Sequence, residues 1–265
     1  MLVAVVAVVS ACGDDGTGGT PDVGGTTDGA RPRRDSGGTP ADGGGSGTDS
    51  GGARTDAGPP VACEAEPEHT GQATYYDFAD GSGNCMFPAT PSDPWVAAMN
   101  HPDYADSAAC GSCAHIVGPS GEATVRIVDR CPECPAGNID LHPMAFAALA
   151  DVALGRVAIT WRYVPCDVTG PIVYHFKEGS NQWWTAVQVR NHRHAIARFE
   201  YRANDGSWRE VTRLDYNFFV EAAGMGPGPY DFRVTDVRGN VLEDTGIPHV
   251  EAGDVPGAAQ FPPCR

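Results

Sequence analysis

The stretch from Thr124 to Pro143, TVRIVDRCPECPAGNIDLHP, constrains the fold more than any other part of the chain. Thr124, Arg126 and Val128 alternate with Val125 and Ile127, the period of a β-strand, and the strand runs into Asp129. Pro132 and Pro135, set around Cys131 and Cys134, break regular structure and make a turn that one disulfide would stiffen. Gly137 and Asn138 then turn the chain into Ile139-Asp140-Leu141, and a helix is expected from near Pro143. Two carboxylates eleven residues apart therefore stand at the ends of short strands joined by a stiff turn. Carboxylates held on a rigid β scaffold can grip or hydrolyse a sugar chain. An aspartate at such a place can also do no more than cap a turn or the following helix.

The rest of residues 63–166 reads as short strands with Gly, Pro and Asn turns. Gly71 to Tyr76 is the first strand, Trp95 to Asn100 is either a short helix or a strand, and Ala114 to Val117 forms a hairpin with Thr124 to Val128 through the turn Gly118-Pro119-Ser120-Gly121. Met144 to Ala153 has helical spacing, with Phe146, Leu149 and Val152 toward a core, and Val157 to Val164 closes the set as a strand. About a hundred residues of this kind predict a small closed barrel. After the connection Cys166 to Pro171, strands are expected over Ile172–Lys177, Trp184–Arg190, Ala197–Arg202, Trp208–Leu214, Tyr230–Asp236 and Asn240–Glu243, with hairpin turns at Asn204-Asp205-Gly206 and Arg238-Gly239-Asn240. Their even spacing predicts a β-sandwich over residues 167–265.

The first 62 residues are of another kind. Met1 to Ala11 is apolar, too short to span a bilayer, and reads as the core of a secretion signal over residues 1–12. Val9-Ser10-Ala11-Cys12 resembles a bacterial lipoprotein box, which makes Cys12 the expected lipidation site and a lipid anchor the expected contact with a membrane; no Lys or Arg precedes the apolar run. Residues 13–62 are almost wholly Gly, Thr, Asp, Ser, Ala, Pro and Arg and are expected to form a disordered tether, because they offer too little apolar surface to offset chain entropy. The expected location is secreted or cell-surface, on the bacterial outer membrane or outside it.

Eight further cysteines, Cys63, Cys85, Cys110, Cys113, Cys131, Cys134, Cys166 and Cys264, follow this leader. An even number in an oxidising compartment favours a disulfide framework over a zinc site built from CGSC and CPEC, so no metal and no cofactor are expected. Residues 63–166 carry 13 acids against 4 bases, in a chain of net charge −16. Nucleic acid is thereby an unsuitable partner, and a neutral polymer such as cellulose suits the chain better than an anionic one. A monomer is expected. Trp183 and Trp184 are adjacent, and neighbours on a strand point to opposite faces, so at least one is exposed or the backbone is irregular. With Tyr216 they offer flat rings of the kind that stack on pyranose faces. The alternative is a tryptophan corner buried in the sandwich.

The stretches GQATYYD, TVRIVDRCPE, IDLHPMAFAAL, GRVAITWRYV, HFKEGSNQWWTAVQVRNH, LDYNFF and VTDVRGNVLEDT cover nearly all of residues 70–250, and their order resembles that of a bacterial expansin. The resemblance implies a six-stranded double-psi β-barrel joined to an immunoglobulin-like carbohydrate-binding sandwich, and loosening of cell-wall polysaccharide contacts without hydrolysis. It places Thr74, Asp129 and Asp140 along a polysaccharide groove, with Asp140 the carboxylate that matters most. It places Trp183, Trp184 and Tyr216 on an aromatic platform, with Lys177, the only lysine, beside it. The implied partners are cellulose and related β-glucan or xylan, with peptidoglycan as a further candidate. Resemblance to plant expansins pairs Cys85 with Cys110 and Cys113 with Cys166, leaving Cys131–Cys134 and Cys63–Cys264.

Two positions depart from the family pattern. Well-studied bacterial expansins carry a tyrosine where this chain has Cys131, so Tyr75 or Tyr76 would have to supply the missing ring. Expansin barrels also resemble family-45 glycoside hydrolases, inverting endoglucanases whose acid corresponds to Asp140. Asp77, in Ala73-Thr74-Tyr75-Tyr76-Asp77, falls where their base would be, so an inverting β-1,4-endoglucanase is an alternative reading. A lytic transglycosylase acting on peptidoglycan is a related one, and a plain adhesin a third.

Overall fold

The computed structural model describes residues 66–77 and 79–263. Cys12, the signal segment, the tether, Cys63 and Cys264 lie outside the described residues. Among the described residues no helix is long and apolar enough to cross a membrane.

Six strands close a barrel: β1 (His69–Tyr75), β2 (Val96–Asn100), β3 (Cys113–Val117), β4 (Glu122–Cys131), β5 (Ile139–Leu141) and β6 (Val157–Val164), in the order β1-β5-β2-β4-β3-β6. The pairs β1–β5 and β2–β4 are parallel and the rest antiparallel, as the double-psi topology requires. Ala73, Ala97, Met99, Ile116, Val125, Ile127, Ile139, Leu141 and Ile159 fill the interior. Every residue of β2 is buried, so no alternation marks it as strand in the sequence. It runs directly into the one-turn helix α1 (His101–Tyr104).

The second helix, α2 (Pro143–Leu149), covers the barrel with Phe146 and Leu149, both buried. It is shorter than its sequence pattern predicts. The chain becomes extended at Ala150 and re-enters a 3-10 turn at Val152–Leu154, which leaves Val152 exposed instead of in the core.

The remaining strands are β7 (Val173–Phe176), β8 (Thr185–Arg190), β9 (Ile196–Arg202), β10 (Trp208–Glu210), β11 (Thr212–Arg213), β12 (Phe219–Glu221), β13 (Tyr230–Asp236), β14 (Val241–Ile247) and β15 (Asp254–Pro256). They make two sheets, β10-β9-β13-β14 and β11-β12-β8-β7-β15, around Tyr174, Phe176, Val187, Phe199, Phe219, Phe232 and Val234. The run Trp208–Leu214, which reads as one strand, breaks at Val211: β10 pairs with β9 in one sheet and β11 with β12 in the other. Val211 is buried at the corner and donates its N–H to the Phe199 carbonyl.

Among the described residues three disulfides are present: Cys85–Cys110, Cys113–Cys166 and Cys131–Cys134. CGSC and CPEC thus bond within this framework, and among the described residues no group of His, Cys, Asp or Glu is placed to hold a metal.

Candidate functional site

Strand register brings the predicted groove residues into one line. Thr74 on β1 pairs with Asp140 on β5, Asp140 with Ala98 on β2, and Ala98 with Asp129 on β4. Residues paired in this way lie on one face of a sheet, here the face opposite the buried Ala73, Ala97, Met99, Ile139 and Leu141. Asp129 and Asp140 are two strands apart, about 10 Å at ordinary strand spacing, on either side of Ala98. The register of β2 against β4 shifts between Ala97 and Ala98, skipping Val128. That bulge re-aims the end of β4 and so sets where Asp129 points.

Asp140 caps nothing. The N-cap of α2 is His142, whose Nδ1 accepts the Met144 N–H. Asp140 Oδ1 instead accepts the Thr74 hydroxyl at 2.5 Å. Partial burial pushes the Asp140 carboxyl above its ordinary range, the nearby charges of Glu133 and Asp129 add to this, and the Thr74 bond and Arg156 oppose it. Asp129 is held differently: its Oδ1 accepts the backbone N–H groups of Asn84 at 2.6 Å and Arg130 at 2.8 Å. Gly83 lies so close that a Cβ there would sit 2.4 Å from Asp129 Cγ, and its φ of +153° suits glycine.

The two tyrosines after Thr74 part company. Tyr75 leans on Phe146 of α2, with ring centres 5.0 Å apart. Tyr76 is half-buried beside the groove acids: burial first, then the charges of Asp129, Asp140 and Asp80, raise its phenol well above the ordinary value, so it stays a neutral donor. Its hydroxyl is buried and makes no hydrogen bond within the described protein. Asp77 is exposed in the turn after β1.

On the sandwich, Trp183 and Trp184 sit in a turn, not on a regular strand. Asn181 Oδ1 accepts the Trp183 N–H, and Asn181 and Trp184 bond each other through their backbones. Trp183 is 72% exposed and Trp184 half-buried. Tyr216 lies half-exposed in the turn between β11 and β12, its ring 5.9 Å from that of Phe218. Lys177 Nζ stands 5.5 Å from the centre of the same Phe218 ring. Phe218, buried under both, was not singled out in the sequence, where LDYNFF offers three aromatics without saying which is covered.

The barrel meets the turn that carries Tyr216 along one seam. Asp215, next to Tyr216, accepts on its carbonyl from Asn84 Nδ2 and from the Tyr104 hydroxyl, and Leu214 accepts from Ser107. Gln188 and Asn217 both donate to the Cys85 carbonyl.

Across most of its length the chain is similar to an expansin, Expansin-YoaJ of Bacillus subtilis, at 37% identity over 214 residues, 77% of this chain and 91% of that one. The chain belongs to the expansin family. No family model matches it. Among solved structures, the expansin of Clavibacter michiganensis without ligand aligns with a TM-score of 0.70 at 33% identity, covering 74% of this chain and 99% of that one. A mutant of the Clavibacter expansin in complex with cellohexaose aligns at 0.69 and 32% identity over the same shares. The barrel and sandwich of this expansin thus follow the architecture of its solved relatives.

Proposed function

We propose that this expansin loosens cell-wall polysaccharide networks by binding cellulose or a related β-glucan, without cutting it. The observation that carries the reading is the row Thr74–Asp140–Ala98–Asp129, on a barrel whose Asn84 and Tyr104 bond the turn that holds Tyr216. A glucan chain in the groove would give its hydroxyls to the Asp140 carboxylate, in competition with the bonds it makes to neighbouring chains. Trp183, Trp184 and Tyr216 would hold the polymer by stacking, where desolvation of apolar sugar faces supplies most of the binding. The complex of a relative with cellohexaose supports a β-1,4-glucan over xylan or peptidoglycan, and the acid-rich barrel adds weight against an anionic wall.

Hydrolysis by inversion needs an acid and a base flanking the bond with a water between them. The exposed setting of Asp77 argues against its serving as that base. The test is reducing-end release from amorphous cellulose, run beside the weakening of cellulose paper under load, for residues 61–265 and for Asp77→Asn. Weakening without new reducing ends, unchanged in Asp77→Asn, is expected. Reducing ends that vanish in Asp77→Asn and Asp140→Asn would make this an endoglucanase. We further propose that the chain is exported and anchored through acylated Cys12, with residues 13–62 as tether; intact mass of the membrane-extracted protein checks this.

A further inference from the structure

We propose that Asn84 and Arg130 are positioning residues that lock the groove carboxylate Asp129 to the platform loop at Asp215–Tyr216, so that one glucan chain meets both surfaces in a fixed register. This rests on the function proposed above. The two backbone N–H groups that hold Asp129 Oδ1 belong to these residues, and both send their side chains to Asp215. Asn84 Nδ2 donates to the Asp215 carbonyl at 2.7 Å and to the Tyr104 hydroxyl at 2.8 Å. Tyr104 is fully buried and donates to the same carbonyl at 2.9 Å. The Arg130 guanidinium lies 5.6 Å from the centre of the Tyr104 ring and 3.7 Å from Asp215 Oδ2. The contacts form a closed ring from the groove acid through both residues to Asp215, whose neighbour Tyr216 is a platform ring.

Of these links the amide of Asn84 is the stronger. It makes two hydrogen bonds, at 2.7 and 2.8 Å, the second to the hydroxyl of fully buried Tyr104, whereas the Arg130–Asp215 pair stands at 3.7 Å and is partly exposed and screened. Two weak surfaces act together on one polymer only while their spacing is held; a loose joint leaves each to bind separately. A clamp at the seam therefore governs work on the polymer more than adsorption to it.

The experiment compares wild type, Asn84→Ala, Arg130→Leu, the double variant and Arg130→Lys, which keeps the charge facing Asp215. Adsorption to cellulose, weakening of cellulose paper and amide hydrogen exchange are measured on each. The double variant is expected to adsorb within about twofold of wild type, because the stacking rings that dominate adsorption are untouched, and to lose weakening about fivefold or more. Exchange should quicken at residues 84–87 and 214–218 and not elsewhere, and Arg130→Lys should retain weakening. Weakening equal to wild type in the double variant, or adsorption falling in step with weakening, would overturn the proposal. Wild type that fails to weaken paper would instead remove the functional reading beneath it, and unchanged exchange at the seam would still overturn the clamp.

Discussion

At the residue scale the site costs stability where it gains chemistry. Burial raises the Asp140 carboxyl above its ordinary range, so between the unfolded and folded values the folded chain holds a proton that the unfolded chain has released. Stability contributed by that proton is present at low pH and is lost as pH rises through the folded value. Asp140→Asn, which buries no charge and still accepts the Thr74 hydroxyl, should raise the melting temperature at neutral pH, with the gain vanishing below the ordinary carboxylate range; thermal melts of both proteins across pH check this. His192 works in the opposite sense. It is buried against Gly111, with Nδ1 on the His194 carbonyl, and burial first depresses it to about 4. The unfolded chain binds the proton more readily, so stability falls as pH drops from about 6.5 to about 4, and His192→Asn should flatten that part of the curve. That Asp140 stands on a short strand after the Cys131–Cys134 turn was legible in the sequence. The role of Asn84 was not, because it depends on Asp215, 131 positions away.

At the element scale the platform depends on a turn more than on a strand. Gly224, at φ +76°, passes so close to the tryptophan turn that a Cβ would lie 2.1 Å from the Gln182 carbonyl oxygen. Gly224→Ala should therefore displace Trp183 and weaken adsorption to cellulose, although residue 224 carries no ring to stack on sugar. Trp183→Ala, at a site so exposed, should lower adsorption while leaving the melting temperature within about 1 °C, as surface substitutions usually do. Adsorption isotherms with parallel melts check both. The strands with one wet face, β4 and β13, alternate visibly in sequence. Those decided by packing do not: β2 is buried on both faces, and the break at Val211 between β10 and β11 comes from a change of sheet that no local pattern marks. Helix α2 falls short for a similar reason, since its residues have helical spacing to Val152 while the chain turns extended at Ala150.

At the scale of the whole molecule, hydrogen bonds tie the barrel to the sandwich and a disulfide braces the connection between them. Cys113–Cys166 joins the start of β3 to the connection that follows β6, where Cys166 also donates its N–H to Arg193 on the sandwich. The bond closes a span of 53 residues, and Cys113→Ser with Cys166→Ser should cost about 2–5 kcal/mol in denaturant unfolding. On this reading, gripping the polymer and loosening it belong to different surfaces. The most direct measurement takes adsorption and weakening on the same cellulose sheets for wild type and Asp140→Asn. The account predicts that Asp140→Asn adsorbs as wild type does and fails to weaken the sheet. Weakening at the wild-type level by Asp140→Asn would contradict it, leaving the barrel a spacer and the platform the whole of the activity.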